Sequence, residues 1–275
     1  MKPASERAQK ASEASFEGRA CPACGCVKNT GIENYSHDEW YVTKCDECDF
    51  VYLKNPPGYE ALVDKYSWEK TSVKETKRRL STRNIGAKIS KSSRWRLSLL
   101  RLSRTKITHY FDNGNVLDIG CGAGGRILRS KGIPHGVEIS RELNAAATTS
   151  MEKFGGYSIH APAVDGVKVF PDNYFDSVLM HSFLEHEKNP GGLLSGLYRV
   201  LKPGGYAYVR VPNYGSFNRM VMGKKWCGFR YPDHVNYFTR ASLKGLSEKY
   251  GFDFKLLNFM NLIVDDNIKA LIIKR

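Results

Sequence analysis

The pattern of apolar and polar positions divides the chain near residue 111. Beyond it, short apolar runs recur at Val116–Ile119, His135–Ile139, Tyr157–His160, Phe175–Met180 and Tyr206–Val211. Each is bounded by Gly, Pro, Asn or Asp. Runs this short between turn residues predict strands. Between them lie helical stretches. Arg126-Ile127-Leu128 opens a short one ending at Gly132. A second is capped by Ser140, runs through Ala145–Ala147 and stops near Gly155-Gly156, and a third spans about 190–200. Phe170–Asn173 and Lys202-Pro203-Gly204-Gly205 read as tight turns. Strand and helix alternate throughout, which predicts an α/β fold around a mostly parallel, Rossmann-like sheet with right-handed crossovers.

The first 110 residues follow other rules. Residues 1–18 mix Ala, Ser, Lys and Glu with no apolar stretch, so they read as a disordered tail and not as a secretory signal. Residues 19–56 carry Cys21-Pro-Ala-Cys24 and Cys45-Asp-Glu-Cys48, with twenty residues between the pairs. Each Cys-x-x-Cys turn aims two thiolates at one ion, and this spacing predicts a structural, tetrahedral Zn²⁺ in a ribbon-like module. Cys26 breaks the spacing. Glu39–Lys44 and Phe50–Leu53 are the ribbon's expected strands. So small a module cannot bury a core, and the metal would hold it together. Asn55-Pro56-Pro57-Gly58 then interrupts the chain, and residues 57–110 read as a basic helical segment with Trp68, Trp95 and several leucines on its buried faces. Residues 111–275 form the α/β domain.

Composition narrows the classes. A length of 275 residues suits one large domain plus an appendage, and no apolar run reaches the roughly 18 residues of a membrane span. Seven cysteines, an odd number that includes two close pairs, favour reduced thiols and metal over disulfides, and a cytoplasmic protein is expected. The net charge of +14 is concentrated: between Lys65 and Lys106, fourteen Lys/Arg against two Glu leave +12. Such a segment can attract phosphates on RNA, nucleotide sugars or lipid head groups, or can simply be the solvated face of an amphipathic helix.

The candidate chemistry starts at Asp118-Ile119-Gly120-Cys121-Gly122-Ala123-Gly124. Glycines at alternate positions after a strand permit positive φ and a close backbone approach to a ligand. Glu138, twenty residues after Asp118, closes the next strand, where a carboxylate suits the two hydroxyls of an adenosine ribose. With Phe175-Asp176, Leu184-Glu185-His186 and Arg199–Gly205 in order, the chain resembles the class I S-adenosylmethionine-dependent methyltransferases, close to the ubiquinone-type and sugar-modifying enzymes. That resemblance implies a seven-stranded sheet closed by an antiparallel hairpin over 252–259 and 268–273. It also implies S-adenosylmethionine held by Asp118, Gly120, Cys121, Gly122, Gly124, Glu138, Ile139, Met180 and His181, with Asp165 at the adenine.

In such a sheet the acceptor lies beyond the carboxyl ends of the strands. His181, Glu185 and His186 follow the fourth strand of the domain. The aromatic-rich loop Asn213–Phe238 follows the fifth and reads as a lid carrying His234. The histidines are candidate general bases, His234 foremost. Each also has a packing reading: His186 as a helix-start residue bonded to backbone or a neighbouring carboxylate, His181 beneath the cofactor, His234 as a latch for the lid. The expected function is methyl transfer to a small molecule, a sugar, nucleotide sugar or related metabolite, with a phosphorylated handle for the basic segment. The runner-up is an RNA base methyltransferase, since some rRNA enzymes carry a similar zinc knuckle. Met180-His181-Ser182-Phe183 stands, however, where related amino-methylating enzymes carry Asn/Asp-Pro-Pro-aromatic. A non-catalytic binding module is the third class, and the intact glycine turn and Glu138 count against it.

Overall fold

The computed structural model describes residues 18–36, 39–58, 107–259 and 265–275. The expected tail (apart from Gly18) and the expected basic helical segment over 59–106 lie outside the described residues. The ribbon supplies β1 (Asn29–Gly31), β2 (Val42–Cys45) and β3 (Val51–Leu53). The domain follows as β4 (Asn115–Ile119), β5 (Ile133–Glu138), α1 (Arg141–Met151), β6 (Ser158–His160), α2 (Ala163–Lys168), β7 (Phe175–His181), α3 (Pro190–Val200) and β8 (Leu201–Pro212). Then come α4 (Phe217–Met222), β9 (Asn236–Tyr237), α5 (Arg240–Lys249), β10 (Phe252–Leu256) and β11 (Asn267–Lys274).

Seven strands form one sheet in the order β10-β11-β8-β7-β4-β5-β6. Its centre is parallel, and β11 runs antiparallel to both β8 and β10, closing the sheet with the expected hairpin. The chain builds outward from β4 through β5 to β6, then returns to place β7 on the other side of β4. A ligand crevice belongs at that switch point, beyond the carboxyl ends of β4 and β7. Helix ends follow their sequence signals. Ser140 Oγ accepts from Leu143 N at the start of α1, Asn189 caps α3, and Thr239 with Ser242 makes a reciprocal capping box on α5. The Lys202–Gly205 turn lies within β8. The ladder passes from Phe175↔Leu201 to Ser177↔Tyr206, so these four residues loop out, and Lys202 Nζ reaches both Asp176 oxygens at 2.8 Å. Among the described residues no helix is long and apolar enough to cross a membrane.

Two expectations change. The helix after the glycine turn is a single 3-10 turn, Ile127–Arg129, because Ser130 closes it at once by donating both N and Oγ to Ile127 O. The ribbon, moreover, is no separate appendage. Strand β3 pairs antiparallel with β9, which belongs to the loop after β8, so the ribbon sheet runs β1-β2-β3-β9. All three residues of β3 are buried, since the ribbon is covered on both faces. Phe50 and Tyr52 join the main core, with Phe50 edge-on to Phe238 at 5.2 Å. On the other face Val42, Val51 and Leu53 form a second core with Trp226, Phe229, Val235 and Tyr237. Burial of side chains this large is the main force that holds ribbon and domain together.

Arg19 fastens the same junction. Its guanidinium donates to the carbonyls of Leu53, Lys188 and Val235 and to Asn236 Oδ1, and it lies over the Tyr52 ring. Burial lowers its pKa to about 10, so it remains charged at neutral pH. One side chain thereby ties β3, the segment after β7 and the segment before β9 together.

Candidate active site

The glycine turn is built for a ligand. Gly120, Gly122 and Gly124 all take positive φ. Gly122 has nothing within 4 Å of where a Cβ would stand, whereas a Cβ on Gly120 would meet Phe183 Cδ2 at 2.4 Å. A side chain at 122 would fill the open cradle, and one at 120 would push away the segment after β7. The carboxylate of Glu138 is oriented by two backbone donors, Gly122 N on Oε2 at 2.8 Å and Ser140 N on Oε1 at 2.9 Å. Each oxygen keeps a lone pair for a further donor. Asp118 is 2% exposed, and its Oδ2 has no partner among the described residues. Burial pushes its pKa up to about 7, with Arg126 opposing and Glu138 adding to the rise. A buried, unpartnered carboxylate oxygen in this turn awaits a cation or a donor.

The remaining cofactor candidates divide. Cys121 turns its thiol beneath the sheet toward Ser158 Oγ at 3.5 Å, and burial raises its pKa to about 12, so only its backbone faces the turn. Met180 is fully buried in the main core. Ile139 accepts at its carbonyl from His160 Nε2. Asp165, expected at an adenine, has a largely exposed side chain bound to Lys168 at 2.7 Å, one helical turn away. His181 ends β7 half-buried. Burial, with Arg126, Arg210 and Lys269 nearby, lowers its pKa to about 4 and keeps it neutral. The next residue, Ser182, is strained at φ +57 and held by Arg210, which donates to its Oγ at 2.6 Å.

Beyond Phe183 the structure gathers Glu185, His186 and His234, a set that spans the segment after β7 and the loop after β8. The two imidazoles meet edge-on at 4.7 Å. His186 Nδ1 faces Asp233 O at 2.9 Å and Asp233 Oδ1 at 3.1 Å, so the bond to backbone and a neighbouring carboxylate in its packing reading is present, and Nε2 is left over. Burial disfavours the His186 imidazolium, but the Asp233 carboxylate outweighs it and raises the pKa; burial likewise opposes Asp233 ionisation, and His186 reverses it. Burial also raises Glu185, which is 1% exposed and whose Oε2 has no partner among the described residues.

His234 does not have the near-ordinary pKa expected of a lid base. It is 4% exposed, and burial, followed by the His186 charge, holds its pKa far below the usual imidazole value. Most of the loop's aromatics are taken up in packing instead of being left open to an acceptor. Trp226, Phe229 and Tyr237 pack on the ribbon, and Phe238 packs in the main core. Non-local pairing of β9 with β3 drew them there. Sequence reasoning missed Asp233 and Arg19 as organising residues. Phe50–Leu53, four apolar residues without alternation, was the available signal that β3 would be covered on both faces.

The four ribbon thiols converge, all within 4.8 Å of one another, with Cys21···Cys48 at 3.6 Å and Cys24···Cys45 at 3.5 Å. Both knuckles close alike: Gly25 N bonds Cys21 O and Asp49 N bonds Cys45 O, with Gly25 and Asp49 at positive φ. Cys26 stands apart, its thiol toward Lys28 O.

Comparison with known proteins adds the following. The family profile described as "Methyltransferase domain" matches residues 90–255. An uncharacterized protein of Methanocaldococcus jannaschii is 31% identical over 147 residues, which cover 53% of this chain and 68% of that protein. The ubiquinone biosynthesis O-methyltransferase of Burkholderia vietnamiensis is 27% identical over 140 residues, 47% of this chain and 60% of the relative, so less than two thirds of that enzyme is represented. A solved SAM-dependent methyltransferase from Archaeoglobus fulgidus superposes with a TM-score of 0.48 at 21% identity, covering 60% of this chain and 89% of that one.

Proposed function

The chain belongs to the methyltransferase-domain family, and from that membership we propose that it transfers a methyl group from S-adenosylmethionine to an oxygen of a small-molecule acceptor. One observation carries the reading. Phe183, packed on Gly120 where no side chain fits, ties the glycine turn to the segment that bears Glu185 and His186.

The residues present fit the cofactor. Glu138, with one free lone pair on each oxygen, would hold the ribose hydroxyls; Asp118 Oδ2 would take the methionine ammonium; the open space at Gly122 leaves room for the ligand. When bound, S-adenosylmethionine supplies a methyl already activated on a sulfonium. The chain then has to align the acceptor oxygen, exclude water and remove a proton. Alignment supplies most of the acceleration, and a positioned base adds roughly 10²–10⁴-fold. His186, bonded to Asp233, is the group we assign to take that proton, with Glu185 and His234 beside it. They suit a hydroxyl acceptor, such as the sugar or nucleotide sugar expected from the sequence. Supply of a methyl-labelled donor to cell extract, with identification of the labelled product, tests the acceptor class. Labelled RNA, with binding that falls steeply with salt, would replace the small-molecule reading by the RNA one.

Asp118 gives a pH signature. With its folded pKa at about 7 in the free protein, it binds a proton that an unfolded Asp releases near 3.8; its contribution to stability is therefore present at acid pH and lost as pH rises through 7. A bound ammonium reverses the preference and expels the proton. Cofactor affinity should thus rise about 30-fold from pH 5.5 to 8, with release of close to one proton, read by calorimetry in buffers of different ionisation enthalpy. Asp118→Asn should flatten the dependence. A steep profile that persists in that variant would remove Asp118 from the site.

We also propose that the ribbon thiols hold a structural zinc. Tetrahedral bonds of about 2.3 Å place sulfurs about 3.8 Å apart, near the observed 3.5 and 3.6 Å. Cys45→Ser should lose about one equivalent of zinc and melt at a lower temperature, since β3 carries β9. Retention of that metal and of protease resistance would rule the site out.

A further inference from the structure

We propose that Glu185, His186 and His234 form a second divalent-metal site, separate from the ribbon thiols, whose open positions would take the acceptor oxygen. One ligand atom of each lies within 4.8 Å of the others, a span that bonds of about 2.1 Å close by small side-chain rotations.

The hydrogen bonds fix which atoms are available. His234 Nδ1 lies 2.8 Å from Gly228 O, and a carbonyl can only accept, so Nδ1 carries the hydrogen and Nε2 the lone pair. His186 Nδ1, between two oxygens of Asp233, is likewise the donor. Neither Nε2 has a partner among the described residues. Ligating histidines are oriented in this way, their second nitrogen donating to a carbonyl or carboxylate, and Asp233 is itself held by Arg230. The third ligand, Glu185 Oε2, is buried and without a partner among the described residues, a cost that a cation removes.

The ligands are also locked in register. Val235 N and Asn236 N both donate to Glu185 O, at 2.8 and 3.0 Å, and Asn236 Nδ2 binds the carbonyls of Leu184 and Glu187. Two imidazoles and one carboxylate suit Zn²⁺ or another first-row divalent ion, and three protein ligands leave coordination positions that four thiolates do not. A hydroxyl bound there would lose its proton near neutral pH, as metal-bound water does. This role rests on the proposed methyl transfer; the binding of metal does not.

The test uses the full-length protein stripped by chelator and titrated with Co²⁺. Wild type should bind two equivalents. One shows the intense near-ultraviolet sulfur-to-metal transition of a thiolate site; the other shows only weak visible bands. Glu185→Gln and His186→Asn should weaken the second equivalent by about 10–100-fold or more and leave the thiolate transition in place, and Asp233→Asn should weaken it less. Cys45→Ser should do the reverse. The wild-type titration decides even if a variant fails to fold: a single equivalent, all of it in the thiolate transition, overturns the site, as does a second equivalent that these variants leave unchanged. Methyl transfer that proceeds at full rate with only the thiolate site filled would overturn the metal's role but leave the methyltransferase reading intact, with Asp233–His186 as the base. Failure to bind S-adenosylmethionine would sink that reading and leave the metal result standing.

Discussion

Replacing Glu138 by alanine should weaken S-adenosylmethionine binding by about 1.5–3 kcal/mol, roughly 10–150-fold, in a protein that stays folded. The carboxylate ends β5 beside the glycine turn, and both oxygens are already aimed by Gly122 N and Ser140 N. A ligand diol would therefore meet an acceptor whose orientation has been fixed before binding, so little entropy is lost on contact. Glu138→Gln separates the two contributions. The amide keeps one oxygen for a backbone donor but gives up the charge and one acceptor, and it should fall between wild type and alanine. Calorimetry supplies both numbers. An unchanged dissociation constant in the alanine variant would sink the assignment. An equal loss in both variants would show that a neutral amide replaces none of what the carboxylate contributes.

What could be read from the sequence was local. Asp118, the glycine turn and Glu138 lie within one strand-turn-strand unit, and their spacing fixes their meeting. The four cysteines are likewise brought together by two tight knuckles and one short sheet, and Ser140 announces its helix by capping it. The acceptor side was legible only as a list of residues. Glu185 and His186 were candidates by position after β7, and His234 by its place in an aromatic loop. Their convergence depends on β9, a strand of two residues that no periodicity can reveal, paired with β3 some 180 residues earlier. The same pairing explains why the loop's aromatics became a core. Once β9 is added to the ribbon, Trp226, Phe229 and Tyr237 are carried onto its face, where burial outweighs any advantage of lining a pocket.

Arg19 shows the other limit. It carries a single positive charge next to a featureless tail, and no spacing rule marks it. Its importance comes from the carbonyls of Leu53, Lys188 and Val235, which belong to three different segments and are gathered onto one guanidinium. The ribbon is therefore more than an appendage to the methyltransferase domain. Through β3 and Arg19 it fixes the segment that carries Glu185 and the one that carries His234. Were the thiols to hold the proposed metal, its binding would bear on the segments that carry Glu185 and His234 and, through Phe183 packed on Gly120, on the glycine turn as well.

The largest effect on turnover should come from His186. His186→Ala is expected to lower turnover by about 10²-fold or more with cofactor affinity nearly constant, because the residue stands on the acceptor side and touches none of the groups that would hold the cofactor. The sequence places His234 first for this role; we propose His186 in its stead. Asp233 bonds the His186 ring directly and supports positive charge on it, whereas at His234 burial outweighs the same carboxylate. The two variants should differ in stability as well. His186 keeps about a quarter of its side chain exposed (26%), and its loss leaves Asp233 still paired with Arg230, so it should lower the melting temperature less than loss of His234. His234→Ala strips the buried Gly228 carbonyl of its donor and should cost about 1–3 kcal/mol, so its turnover must be measured well below the melting transition. Asp233→Asn should reduce turnover less than His186→Ala, since it disturbs orientation and leaves Nε2 in place. If His186→Ala turns over within a factor of about three of wild type at saturating acceptor, neither a base nor a metal ligand resides at His186, and the proton leaves by another route.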